Sequence, residues 1–304
     1  MTGSPQDAAP SFDALVPAEM ARKAADVGVR KAGMDLPSLL VLAVLAGAFI
    51  SLGAVFSLTT ASGAMVMTGA DGTVTRITLP FGLTRLIAGV TFSLGLILVI
   101  VAGAELFTGN VLLVIAWASR RIATVAVLRN WLLVFAGNLV GALGTVALVV
   151  AAGWYRYGNG VIGSAALATA QAKIDRPFVE ALAAGILCNG LVCLAVWLTY
   201  SARTTTDRIL AIVPPIAAFV AAGFEHSIAN MFFLPVAVAI RAFAPAAFWE
   251  TTGLDPAAYA SVTMEAVVAN LVPVTIGNII GGALAVAAVY WFVYLRPRET
   301  SPGR

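Results

Sequence analysis

GAELFTGN at residues 103–110 and GFEHSIAN at residues 223–230 share the pattern G-x-E-x-x-x-x-N, and each lies inside an apolar run too long for a single membrane span. A second match follows each in the same order. Asn130 precedes Gly137-Asn138-Leu139-Val140-Gly141, and Asn270 precedes Gly277-Asn278-Ile279-Ile280-Gly281, at identical spacing. Two ordered matches three spans apart mark an internal repeat. An odd number of spans per repeat sets the second copy upside down relative to the first, so the two polar interruptions meet from opposite sides near the bilayer midplane. A carboxylate, an amide and freed backbone groups facing lipid would have no partners, so both interruptions line a cavity or are buried in protein.

Working outward, apolar runs of about 20 residues, enough to cross a bilayer, fall near 36–60, 81–118, 128–153, 177–201, 209–240 and 265–294. The expected fold is an all-α membrane protein of six transmembrane helices, arranged as two inverted three-helix repeats with helices 2 and 5 broken. Residues 1–34 read as an N-terminal segment, 35–295 as the membrane domain (repeat one about 35–153, repeat two about 177–295) and 296–304 as a tail. Pro214, Pro215, Pro235 and Pro273 fit broken rather than continuous helices.

Composition agrees. Of 304 residues, 60% are apolar and 11% charged, against roughly 25% charged in a soluble domain, which excludes a soluble enzyme. The net charge of +3 comes from sparse residues without a basic cluster, so nucleic-acid binding has no footprint. Lys and Arg in alternate segments number 12 on one side: four at the N-terminus, Arg120, Arg121 and Arg129, Arg203 and Arg208, and three in the tail. The other side holds Arg76, Arg156, Lys173, Arg176 and Arg241, with Arg85 just inside the second span. The positive-inside rule then places both termini in the cytoplasm. The first 34 residues show no cleavable signal-peptide pattern. Residues 13–33, with Val16, Met20 and Val27 at helical spacing and Pro17 at a helix start, read as an interfacial helix anchored at the membrane surface. Cys188 and Cys193 lie five apart on one helix, about 7.5 Å along its axis, too far for a disulfide.

His226 is the only histidine and stands at the second interruption. An ionisable group in a membrane interior is a functional candidate, and imidazole titrates near neutrality. A neutral ring that donates a proton or hydrogen bond to an entering anion is the chemistry this favours. Glu105 and Glu225, with Asn110 and Asn230, read as support for the helix breaks, the carboxylates accepting hydrogen bonds from backbone N–H groups exposed there; facing the pore, they would repel an anion. Thr108 and Ser227 offer hydroxyls at the two breaks, and Leu96, Leu106, Phe107, Phe219 and Phe224 offer apolar walls for a constriction. Lys173 and Arg176 precede the fourth span, where either cation would attract anions into a vestibule; Arg176 reads rather as a snorkelling boundary residue.

The segments FSLGLILVIVAGAELFTGN (92–110), GILCNGLVCLAVW (185–197), GFEHSIANMFFLP (223–235) and NLVPVTIGNIIGG (270–282) resemble the signature segments of the formate/nitrite transporter family, over about residues 12–295. The chain is most similar to the formate channels and less so to the nitrite and hydrosulfide branches. The resemblance implies an aquaporin-like fold, a homopentamer with one pore per protomer in a bacterial-type inner membrane, and small anions as cargo: formate first, then nitrite, hydrosulfide, acetate or lactate, together with protons. It implies that Leu106-Phe107-Thr108 breaks the second helix, that Leu96 with Leu106 forms the cytoplasmic constriction and Phe219 part of the periplasmic one. It also implies that His226 is the central histidine, Lys173 the vestibule lysine and Asn189 a polar pore residue. Glu105 stands where formate channels often carry Asp, and Gly109-Asn110 is closer to the nitrite branch.

Two other classes are disfavoured. A neutral-solute channel of aquaporin type needs paired N-P-A motifs, which are absent. An intramembrane enzyme built on Glu225 and His226 has no H-E-x-x-H, no second histidine for a metal and no nucleophile motif. No cofactor or metal is expected.

Overall fold

The computed structural model describes residues 13–63, 65–68 and 73–297, with the backbone alone for strands 65–68 and 74–77. The first twelve residues and the tail beyond 297, including Arg298 and Arg304 of the charge count, lie outside the described residues.

The first described element is a surface helix, α1 (Pro17–Ala32), started by Pro17 and closed over Arg30 and Lys31, where a cation suits the negative end of the helix dipole. Asp35 caps the next helix, accepting a hydrogen bond from the Ser38 N–H, and α2 (Leu36–Ala61) makes the first span. A hairpin of β1 (Met65–Thr68) and β2 (Val74–Ile77) leads to α3 (Phe81–Ile97). That helix widens into a π-helical turn over Leu98–Gly103, breaks, and resumes as α4 (Phe107–Asn110) and α5 (Leu113–Ala118). α6 (Thr124–Ala151) is the third span.

A second surface helix, α7 (Val161–Ile174), opens the other half, followed by α8 (Phe178–Ser201). α9 (Thr205–Ala222) breaks and resumes as α10 (Ser227–Phe243), and the short α11 (Ala246–Thr252) turns off at 110°. The last span is α12 (Met264–Ile280), a π-helical stretch over Gly281–Ala288, and α13 (Val289–Tyr294). Among the described residues six helices are long and apolar enough to cross a membrane. The fold class is therefore as expected: an all-helical membrane protein of six spans, with the small hairpin as its one sheet among the described residues.

Each half has the order surface helix, span, broken span, span. With three crossings between them, α1 and α7 lie on opposite faces, and Lys31 precedes Leu36 by the same five positions as Lys173 precedes Phe178. Counted with these helices, the halves run over 17–151 and 161–294. The stretch 154–176 between the third and fourth apolar runs holds α7, which is too short to span and too Ala-rich to show a polar face.

The prolines do not make the breaks. Pro214 and Pro215 lie inside α9, Pro235 inside α10 and Pro273 inside α12. The chain turns instead at Gly103 (φ +84°) and Gly223 (φ +75°), in the left-handed region that glycine enters without a Cβ penalty. The paired glycines of the second motif serve close packing. A Cβ at Gly141 would collide with the Val44 carbonyl on α2, and one at Gly281 with the Ile186 carbonyl on α8. Small residues four apart thus bring α6 onto α2 and α12 onto α8, which carries the asparagine between them to the broken helix.

Candidate pore site

The two breaks are built alike. Glu105 N–H donates to the Leu42 carbonyl (3.1 Å) and Glu225 N–H to the Ala184 carbonyl (3.3 Å). Asn138 Oδ1 accepts from the Phe107 N–H (3.0 Å), while its Nδ2 donates to the Ala43 and Glu105 carbonyls (2.7 and 3.0 Å). Asn278 does the same for Ser227 N–H (2.9 Å) and for the Gly185 and Glu225 carbonyls (2.8 and 2.9 Å). One amide side chain thus satisfies both a donor and an acceptor that the break strands in a water-free region.

The carboxylates were expected to accept from the stranded backbone N–H groups; their partners are side chains instead. Lys31 Nζ contacts both oxygens of Glu105 (2.8 and 2.9 Å) and Asn110 Oδ1 (2.8 Å). Asn110 Nδ2 donates to Glu105 and to Asn130 Oδ1, and Asn130 Nδ2 reaches the Lys31 carbonyl. Lys173, Glu225, Asn230 and Asn270 repeat this circuit but for one bond, with Lys173 Nζ 3.1 and 3.0 Å from the Glu225 oxygens and Asn230 Oδ1 left without a partner. Each buried charge therefore has a counter-charge and amide donors, the condition for an ion pair to persist in a low-dielectric interior.

Sequence reasoning missed Lys31, whose position in a surface helix gives it no motif, and two arginines. Arg176 is not a snorkelling boundary residue: its guanidinium donates to the Gly223 carbonyl (3.0 Å) and lies 3.4 Å from Glu225. Arg85 donates to the Ala221 carbonyl (3.2 Å) and to that of Val220. Together they bind the carbonyls where α9 ends, of which that of Val220 also accepts from the Gly223 N–H.

His226 caps α10. Its Nδ1 accepts from the Ala229 N–H (3.1 Å), so in the neutral ring Nε2 carries the proton and donates to Thr108 Oγ1 (2.9 Å). The two broken helices thus touch through one hydrogen bond between side chains 118 positions apart. Phe219 stacks beside the imidazole, centroids 5.9 Å apart. Asn189 Nδ2 donates to the Thr108 carbonyl (3.2 Å) and the Asn278 carbonyl (2.6 Å), which braces the first break against the last span.

Two cavities approach this contact from opposite faces. One, of about 400 Å³, is entered beside α1 and lined by Lys31, Glu105, Leu96 and Leu106. The other, of about 420 Å³, is entered beside α7 and lined by Lys173, Glu225, His226, Phe219 and Phe224. Between them stand Leu96 and Leu106 on one side and Phe219 with His226 on the other, all buried. Thr108 and Asn189 border neither cavity, and Phe107 turns away, packing edge-on against Phe135 at 5.1 Å and Trp131 at 6.3 Å.

The sequence profile described as Formate/nitrite transporter matches residues 18–292, nearly the whole chain. The chain belongs to this family. It is 47% identical over 289 residues to the formate channel FocA of Escherichia coli (strain K12), covering 95% of this chain and 97% of that one. To the formate channel FocA of Haemophilus influenzae it is 41% identical, over 90% and 92% of the two chains. A solved pentameric formate channel with formate bound superposes with a TM-score of 0.76 at 41% identity, covering 91% of this chain and all of that one. These family relatives match both halves of the repeat.

Proposed function

We propose that this protein is a formate channel, assembled as a pentamer with a pore in each protomer and set in a bacterial-type cytoplasmic membrane with both termini inside. The observation that carries this reading is the His226–Thr108 contact, where two opposed half-helices meet between two cation-lined cavities. The names of its relatives and the excess of Lys and Arg on the α1 face support it.

Formate is a carboxylate with a pKa not far from the roughly 3.9 of aspartate, so at neutral pH it arrives as an anion. Lys173 and Arg176 draw it into the α7 vestibule, with Glu225 moderating the field so that the anion is not trapped. The apolar wall of Phe219, Leu96 and Leu106 admits a neutral species far more readily than an ion. At the wall the His226 Nε2–H turns from Thr108 to the carboxylate, and the Thr108 hydroxyl supplies a second donor. Because Nδ1 is engaged by Ala229, the net proton comes from vestibule water: formate and hydronium give formic acid and water, and the imidazole holds the anion while this happens. The acid crosses and ionises again beyond Leu106. Asn189, Asn138 and Asn278 position the two half-helices.

The test is uptake of labelled formate by proteoliposomes against protein-free liposomes, with nitrite, hydrosulfide, acetate and lactate as competitors. Formate uptake above the blank supports the reading. Uptake of nitrite or hydrosulfide with none of formate replaces the cargo, and glycerol flux alone would make it a neutral-solute pore.

A further inference from the structure

The two vestibules are not equivalent, although the Lys–Glu–Asn circuits beneath them are built alike. On the α7 side three cations face Glu225, and each has its partner: Lys173 and Arg176 the carboxylate, Arg176 and Arg85 the carbonyls at the end of α9. The α1-side cavity holds four cations, Lys23, Arg30, Lys31 and Arg208, against the single carboxylate of Glu105. Lys31 takes that carboxylate. Among the described residues no carboxylate lies within ion-pair distance of Lys23, Arg30 or Arg208. Lys23 donates to the Tyr200 carbonyl (2.7 Å), which leaves two of its N–H groups.

Three cations at one mouth, with no carboxylate within ion-pair distance among the described residues, repel one another. Burial and the charges of Arg203, Arg208 and Arg30 hold the Lys23 ammonium below its ordinary value. A monovalent anion such as formate neutralises one of the three, whereas a phosphate group carries up to two charges and enough acceptor oxygens for guanidinium forks. Nothing in transport requires this surplus, since the α7 mouth serves the same pore without it.

We infer that Lys23, Arg30 and Arg208 form a phosphate-binding site at the α1-side mouth, distinct from the pore, whose occupant bridges α1 to α9 and restricts flux. The geometry fixes the consequence: α1 supplies Lys23 and Arg30, α9 supplies Arg208, and the cavity they line is the approach to Leu96 and Leu106. The phosphate is either a free oxyanion or the headgroup of an anionic lipid. The effect on flux rests on the channel reading; the binding does not.

Binding is measured by calorimetry of inorganic phosphate on the purified full chain in neutral detergent, for the native protein and for Arg30→Gln/Arg208→Gln. Formate flux is then followed in phosphatidylcholine vesicles with phosphate present, and in phosphatidylcholine–phosphatidylglycerol vesicles without it. Saturable phosphate binding, weakened about tenfold or more in the variant, supports a free-oxyanion site. Absence of phosphate binding together with native flux lower in phosphatidylglycerol vesicles, and restored in the variant, assigns the site to a lipid headgroup. No effect of either source, or equal effects on native and variant, overturns the proposal. Binding without any formate flux would overturn the channel reading and leave the site standing. Arg208→Gln alone, on the transmembrane side of the pair, serves if the double variant does not assemble.

Discussion

Lys31 and Lys173 occupy equivalent places in the two halves, each with its ammonium on the buried carboxylate of a broken helix: Lys31 2.8 Å from Glu105, Lys173 3.0 Å from Glu225. The lysines come from surface helices on opposite faces, so each ties a surface helix to the break that it covers. Equivalent geometry does not make them equivalent energetically. Glu225 keeps Arg176 at 3.4 Å, whereas Glu105 has Lys31 as its one cation within ion-pair distance among the described residues.

Lys31→Met therefore destabilises more than Lys173→Met. Removing one partner of a buried pair costs about 3–5 kcal/mol when the remaining charge is uncompensated, and Arg176 reduces that penalty at Glu225. Thermal unfolding in detergent ranks the two. Lys31→Met/Glu105→Gln recovers most of the loss, because no orphan carboxylate remains.

Asn138→Ala and Asn278→Ala each remove three hydrogen bonds from a break. With roughly 1–3 kcal/mol for each buried group left unpaired, each lowers stability by several kcal/mol and abolishes flux in parallel. The aspartate replacements, which keep the acceptor and lose both donations, fare no better. Unfolding midpoints and flux on the same preparations check this.

How much of this was legible depends on the residue type. The paired Glu, Asn and G-N-x-x-G patterns stood out because a polar residue in an apolar run has no neutral explanation, and the inverted halves followed from them. Lys31, Arg85 and Arg176 were missed or misread because cations at membrane boundaries are common and carry no spacing signal. The prolines suggested breaks, yet the helices run through them, since a missing N–H is tolerated where neighbours re-satisfy the freed carbonyl. Phe107 looked like pore lining because its neighbours Leu106 and Thr108 are near the path; only the packing against Phe135 shows which way it faces.

Thr108→Val keeps the shape and removes the hydroxyl that accepts from His226. Formate flux falls by about tenfold or more, the equivalent of one lost buried hydrogen bond, while Thr108→Ser retains most of it. Stopped-flow uptake on matched preparations measures the ratio. Equal flux in native protein and Thr108→Val would remove Thr108 from the pore chemistry.

Asp35 responds to acid. Its hydrogen bond from Ser38 N–H holds its carboxyl below the ordinary value of 3.8. A depressed carboxylate contributes stability above its unfolded value and loses it as pH falls through the folded one. The start of α2 therefore loosens below about pH 4, read by hydrogen exchange at Ser38, and Asp35→Asn removes that acid dependence while keeping the cap.

That His226 handles the anion at the meeting of the two breaks is tested by formate flux from pH 5 to 8 in native protein and His226→Phe. Native flux should rise as protons become available, and the variant, folded and assembled, should carry about tenfold or more less formate across that range, the loss of one buried hydrogen bond to the anion. A His226→Phe protein with native flux across the whole range would contradict it, leaving the imidazole as a helix cap and nothing more.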